Sequence, residues 1–275
     1  MSAKYFNSPG GMPTKSQLKG DRAIFTDAYA VIPHEAMRDI VTSFLPNWEN
    51  TRAWVLARPL SGFAETFSYT LVEISEGGGS SAPEPTVEAE AVLFVAGGEG
   101  VLRLDDRSFD LMPGSYVYLP AGGAWSISQT GKDALLVHWV RKAYEALDGG
   151  KRPEAFHVNE ADVAPQVMPH SDGKWSTTRF VDPEDLRHDM HVNIVNFLPS
   201  GEIPFAETHV MEHGIYILEG QADYYLNGDW VHCEAGDFLW LRAFCPQACI
   251  AKGDGPFRYL LYKDVNRHMP LSVWR

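Results

Sequence analysis

The chain has 275 residues, 45% hydrophobic, 12% aromatic and 21% charged, with a formal net charge of −13. That length suits two domains of about 130 residues each, and the composition is that of a globular protein. The acidic balance and the lack of any Lys/Arg-rich block argue against nucleic acid or an anionic membrane as partner, because phosphate recognition needs a basic surface.

Residues 1–24 begin MSAKYFNSPGGMPTKSQLKG, without the apolar core or cleavage pattern of a signal peptide, and read as an N-terminal arm. No apolar run approaches the roughly 20 residues of a membrane span. The three cysteines, Cys233, Cys245 and Cys249, make no disulfide framework. The expectation is a soluble, cytoplasmic protein.

Residues 25–145 read as a first β domain. Its segment GGEGVLRLDDRSFDLMPGSYVYLP (97–120) has a counterpart in EGQADYYLNGDWVHCEAGDFLWLR (219–242). At an offset of 122 residues Gly98 falls on Gly220, Gly114 on Gly236, Tyr116 on Phe238 and Leu119 on Leu241. Gly79 falls on Gly201 upstream, and ALLVHWVRKAY (134–144) lies over PFRYLLYKDVN (256–266) without a gap. One offset held from Gly79 to Tyr144 marks a tandem duplication. AYEALDGG (143–150) is expected to be a short helix ended by glycine. Residues 146–180 alternate little and read as a connector.

Residues 181–275 form the second β domain. HVNIVNFL, GIYILEG, DYYLNGDWVH and DFLWLRAF are short, partly alternating and rich in β-branched and aromatic residues. Asn227-Gly228 between two such runs signals a two-residue hairpin turn, and Asp105-Asp106 takes its place in the first copy. Evenly spaced short strands with glycines at their ends indicate an all-β fold of two jelly-roll barrels in tandem, each able to enclose a small cavity.

The segment ETHVMEH (207–213) places Glu207, His209 and His213 at one strand parity, so on a continuous strand all three would face the barrel interior. At the offset of 122 their counterparts are Pro85, Val87 and Ala91, so the three polar residues are confined to one copy while the scaffold is kept in both. Gln247, opposite Trp125 in the first copy, is the natural fourth ligand from a neighbouring strand. Two imidazoles, a carboxylate and an amide oxygen suit Mn²⁺ or Fe²⁺ with open positions better than a closed zinc site. A metal centre is therefore expected in the second barrel. Glu212 has opposite parity and is expected outside that barrel. Cys245 and Cys249 share parity with Gln247, although small residues filling the barrel is the favoured reading for them. His191 alternates with apolar residues and faces either cavity or solvent.

These glycine-bounded signatures resemble the two motifs of the cupins. ETHVMEH with Gln247 departs from the usual cupin set of three histidines and a glutamate, and that departure resembles the bicupin (S)-ureidoglycine aminohydrolases. The similarity extends through NIVNFLPSGEIPFAETHVMEHGIYILEGQADYYLNGDWV and FRYLLYKDVNR and covers most of 25–275. The resemblance implies a metal-binding cupin barrel at 181–275 beside a cupin barrel without ligands at 25–145. It implies a cytoplasmic homo-oligomer in purine (allantoin/allantoate) catabolism that converts (S)-ureidoglycine and water to (S)-ureidoglycolate and ammonia. Mn²⁺ would be the cofactor, with Fe²⁺ or Zn²⁺ as alternatives, held by Glu207, His209, His213 and Gln247. Tyr224, Tyr259 and Lys263 would contact the substrate, with Tyr259 and Lys263 as the catalytic pair. Their first-copy counterparts are Leu102, Val137 and Arg141. The competing readings are a cupin dioxygenase or isomerase acting on another small carboxylate, and a non-enzymatic small-molecule-binding cupin.

Overall fold

The computed structural model describes residues 22–37, 45–59, 61–147 and 149–265. The expected N-terminal arm lies almost wholly outside them. The described residues form strands and two short 3-10 turns, without an α-helix. None of their helices is long and apolar enough to cross a membrane.

In chain order, β1 (Ile24–Phe25) and β2 (Tyr29–Ile32) precede β3 (Trp48–Ala57), β4 (Phe67–Ser80), β5 (Ala89–Gly97), β6 (Gly100–Leu104) and β7 (Arg107–Leu111). Next come β8 (Ser115–Leu119), β9 (Trp125–Gln129), β10 (Leu135–Ala143), β11 (Phe156–Asn159), β12 (Gln166–Val167) and β13 (Trp175–Arg179). The second half contains β14 (Met190–Phe197), β15 (His213–Glu219), β16 (Gln221–Leu226), β17 (Asp229–Glu234), β18 (Phe238–Leu241), β19 (Gln247–Lys252) and β20 (Phe257–Asp264).

The duplication is visible strand for strand. In the first copy β10 pairs with β4 and β5, and in the second β20 pairs with β14 and β15. Leu104 faces Arg107 across Asp105-Asp106, as Leu226 faces Asp229 across Asn227-Gly228. Asp105 and Asn227 have φ of 52° and 50°, the left-handed conformation that a two-residue hairpin turn needs. Gly98 and Gly220 show why the repeat is legible. Their φ values are +74° and +78°, and a Cβ on either would sit 2.2 Å from a backbone oxygen, Ala134 O in one copy and Pro256 O in the other. Only glycine tolerates both the conformation and the approach.

The copies differ in how they close. β4 runs fourteen residues, pairing β10 in its first part and β9 at Gly79 and Ser80, which makes one nine-stranded sheet. In the second copy the chain turns at Leu198–Gly201, leaving an eight-stranded sheet and a three-stranded one (β17-β16-β19). Each barrel has its own apolar interior. Val72, Val95, Leu102 and Ile127 belong to the first, and Ile215, Ile217, Tyr224 and Tyr259 to the second. A third cluster joins them, with Tyr69, Leu71, Phe94 and Tyr116 packed in one core with Ile194, Tyr216, Leu218 and Phe238. The chain is thus an all-β bicupin whose barrels pack face to face. β15 is covered on both sides, with Ile215 and Ile217 facing inward and Tyr216 and Leu218 facing the first barrel. That double burial explains its unbroken apolar sequence.

Strand pairing crosses the boundaries expected from sequence. β2, within 25–145, pairs with β18 of the second barrel, and β11, within the expected connector, pairs with β8 of the first. Each covers an edge that would otherwise present unpaired N–H and C=O groups. The connector also contains β13, which extends the second barrel's sheet beside β14. No helix forms over the described part of 143–150. Instead Tyr144 N–H donates to Glu88 O, and Glu145 N–H to the Asp189 carboxylate.

Candidate metal centre and substrate cavity

The segment 207–213 is not the continuous strand expected. Glu207 makes an isolated bridge with Gln247, each N–H donating to the other's carbonyl at 2.9 Å. The chain then loops, the His209 carbonyl accepts from Phe244 N–H at 2.6 Å, and β15 starts only at His213. The strand cannot run through because Glu212 turns its N–H to the Asp264 carboxylate, 2.7 Å away. Strand parity therefore does not hold across 207–213, yet the loop still brings the side chains together. Glu207 Oε1 lies 3.2 Å from His209 Nε2, the His209 and His213 rings are 5.2 Å apart, and Gln247 Nε2 lies 3.2 Å from His213 Nδ1.

All four line one cavity of about 220 Å³ together with Tyr224, Tyr259 and Lys263. That is below the roughly 300–1,000 Å³ of sites for drug-sized ligands, so the cavity fits a small metabolite. The remaining lining includes Thr177, Arg179 and Asn193, which the sequence reading did not single out. Trp175, Thr177 and Arg179 alternate along β13, and that period-2 signal could have found them had the connector been read as strand.

Electrostatics separate the side chains by role. His213 is buried, and burial pushes its pKa down to about 3, with His209 and Lys263 adding to the effect. It is a neutral imidazole whose Nε2 has no hydrogen-bond partner. An unpaired polar atom in such a place costs on the order of 1–3 kcal/mol. Burial also lowers the pKa of Lys263, and Arg179 lowers it further. Tyr224 O–H donates to Tyr259 Oη at 3.3 Å, and burial raises both phenols well above their ordinary pKa, so both keep their protons at neutral pH.

Among the described residues no three His, Cys, Asp or Glu side chains already converge on a single point. The fit to a divalent cation rests on the donor set around the cavity and on the unpartnered His213 Nε2. Glu207, His209 and His213 offer a carboxylate and two imidazoles, and a half-turn of the Gln247 amide presents its oxygen, a mixture suited to borderline-hard ions. The first barrel provides the internal comparison. Val87, Ala91 and Trp125, none of which can ligate a metal, line a small recess with Glu84 and Thr86 but no imidazole, and a larger recess of about 580 Å³ contains Pro85, Trp139 and Arg141. There Arg141 is neutralised by Glu84, whereas its counterpart Lys263 makes no ion pair within 4.0 Å among the described residues.

Other sequence candidates lie elsewhere. His191 pairs across the sheet with Lys263, is buried, and is outside the cavity lining. Cys245 and Cys249 are buried in the barrel interior and do not line the cavity. Glu212 points away from its own barrel, as parity suggests, but is only 6% exposed because the first barrel covers it.

Comparison with known proteins follows the same lines. The cupin domain family model matches residues 193–262. The (S)-ureidoglycine aminohydrolase of Arabidopsis thaliana is 31% identical over 247 residues, spanning 90% of this chain and 79% of that protein. The Escherichia coli (strain K12) protein of the same name is 27% identical over 271 residues, spanning 97% of this chain and 99% of its own. Among solved structures, a Pseudomonas aeruginosa protein named for induction by glyoxylate is 59% identical with a TM-score of 0.92, covering 99% of this chain and 100% of that one.

Proposed function

The chain belongs to the (S)-ureidoglycine aminohydrolase family, and from that premise we propose that it hydrolyses (S)-ureidoglycine to (S)-ureidoglycolate and ammonia at a Mn²⁺ held by Glu207, His209, His213 and Gln247. The observation that carries the proposal is the 220 Å³ cavity in which His213, its Nε2 unpartnered, meets the other three donors and Lys263. A metal bound there supplies Lewis acidity and a fixed point for orienting substrate and water.

The chain's own groups do the rest. The reaction breaks the bond from the α-carbon to its amine and forms one from that carbon to a water oxygen. The leaving nitrogen must therefore gain a proton and the water must lose one, leaving the proton count unchanged over a turnover. Lys263 and Arg179 face the cavity as cations and supply the charge that a substrate carboxylate requires. With its pKa lowered by burial, the Lys263 ammonium is also a better acid toward the leaving amine than an exposed lysine. Tyr224 and Tyr259 present protonated hydroxyls to the ureido oxygen, and the apolar neighbours Ile203, Ile215 and Leu261 limit access of bulk water.

The test is ammonia release from (S)-ureidoglycine generated in situ from allantoate, corrected for spontaneous decay, with Mn²⁺-loaded protein and with His209→Ala. Release with (S)-ureidoglycolate as product, lost in the variant, is the expected result. No release above background from metal-loaded protein would remove the aminohydrolase assignment while leaving the fold untouched.

A further inference from the structure

The residues on either side of His213 are both fastened to the first barrel. The Glu212 carboxylate accepts four hydrogen bonds, two at each oxygen. Glu65 N–H (2.8 Å) and Trp240 Nε1–H (2.5 Å) donate to Oε1, while Thr66 N–H (2.9 Å) and Thr66 Oγ1–H (2.6 Å) donate to Oε2. Three of the four donors come from residues 65 and 66, about 150 positions away in the chain but directly before β4. On the other side of His213, Gly214 carries the ring of Phe67. A Cβ there would lie 2.6 Å from Phe67 Cε2 and Cζ. Phe67 in turn stacks on Tyr262, whose hydroxyl is 3.0 Å from Thr66 Oγ1. Glu65, Thr66 and Phe67, three consecutive residues of the copy that lacks ligands, thus hold the two neighbours of His213.

We propose that Glu212 is a positioning residue: by docking on Glu65–Phe67 it fixes where β15 begins and aims the His213 ring into the cavity, which makes the first barrel part of the site although it contributes no ligand. The contacts divide the labour: His213 faces the cavity, while Glu212, just before β15, and Gly214 within it both meet the other barrel. A carboxylate saturated by four donors has one orientation, and the Glu212 N–H bonded to Asp264 fixes the backbone at the same point. The inference rests on the reading of His213 as a metal ligand, but its mechanical content does not.

The test compares Thr66→Val, which removes one donor to Glu212, with Thr66→Ser, which keeps it. Tyr69→Phe serves as control, because it removes a buried hydroxyl bonded to His138 in the same inter-barrel core without touching Glu212. Hydrogen–deuterium exchange of the 208–215 amides is measured without metal, and Mn²⁺ affinity is read from the free-ion electron paramagnetic resonance signal. Thr66→Val is expected to speed exchange of that segment and weaken Mn²⁺ binding, each by about tenfold, while Thr66→Ser and Tyr69→Phe match the parent. Unchanged exchange in Thr66→Val, or the same rise in Tyr69→Phe, overturns the proposal. If the parent protein binds no Mn²⁺, the metal reading falls and exchange alone decides the anchor.

Discussion

At the scale of single residues, the cavity separates groups that touch substrate from groups that hold them. Tyr259→Phe keeps the buried ring and removes one hydroxyl, so it should lower kcat by about 10²-fold while denaturant unfolding changes little. Lys263→Met removes both a charged partner for a carboxylate and the acid toward the leaving amine, so it should raise KM by about tenfold or more and lower kcat as well. Steady-state kinetics on the same substrate would separate it from Tyr259→Phe, which leaves KM nearly unchanged. Protonation gives a further prediction. Burial, with Lys263 beside it, pushes the His191 pKa from 6.5 down to about 4. The unfolded chain then binds a proton that the folded one refuses, so this group's contribution to stability is intact above pH 6.5 and falls as pH drops toward 4, by about 3 kcal/mol over the window. Asp264, raised to about 6, works in the opposite direction. The clean measurement is therefore a difference: His191→Gln should lose less of its Tm between pH 7 and pH 5 than the parent does. The ligand candidates were legible because two imidazoles, a carboxylate and an amide appear in one copy where the other has Pro85, Val87, Ala91 and Trp125. Arg179 was not, because the period-2 pattern of β13 spans only five residues and was absorbed into the expected connector at 146–180. For Glu212 the expected direction, away from its own barrel, holds, but it is set by donors at residues 65 and 66, which no local pattern reports.

At the scale of elements, the repeat was read from its turns. A turn that needs positive φ and close backbone approach accepts few substitutions, whereas strands exchange one apolar residue for another freely. Gly220 and Gly228 grade this. Both have positive φ, but a Cβ at Gly228 meets nothing within 4 Å, while at Gly220 it meets Pro256 O at 2.2 Å. Gly228→Ala should then cost about 1 kcal/mol of left-handed strain. Gly220→Ala should exceed about 4 kcal/mol, because two backbones must separate. Urea unfolding of the two variants checks the ratio, and near-equal costs would refute the close-approach argument. Loops were less legible for the opposite reason. The path of 208–212 is set by Asp264 and by residues 65–66, far away in sequence, and no local pattern reports such partners. The same holds for β2 on β18 and β11 on β8, where short edge strands have composition but no signal of address.

At the scale of the molecule, the pairing of β2 with β18 and a shared apolar core tie the two barrels together, and we expect them to fold as one unit. The face between them buries Tyr69, Leu71 and Phe94 from one side and Ile194, Tyr216 and Phe238 from the other, an apolar surface that neither barrel could leave in water. The termini of each half are also tied across. Arg22, next to β1, reaches Asp237 at 2.6 Å, and the fully buried Asp237 also accepts His34 N–H at 2.8 Å. Lys142 at the end of β10 pairs with Asp189 at the start of the second copy. A second barrel expressed alone would lose the strand that covers β18, the partner of buried Asp237 and the platform under Glu212. Residues 1–148 and 149–275, produced separately, should therefore each show exposed apolar surface by dye binding and lack a cooperative melting transition. Mixed during refolding they should recover a 1:1 complex by size-exclusion chromatography, with a single transition and Mn²⁺ affinity near that of the intact chain. A second half that melts cooperatively and binds Mn²⁺ on its own would show that the duplication left two independent domains, and the retained first barrel would then need another explanation.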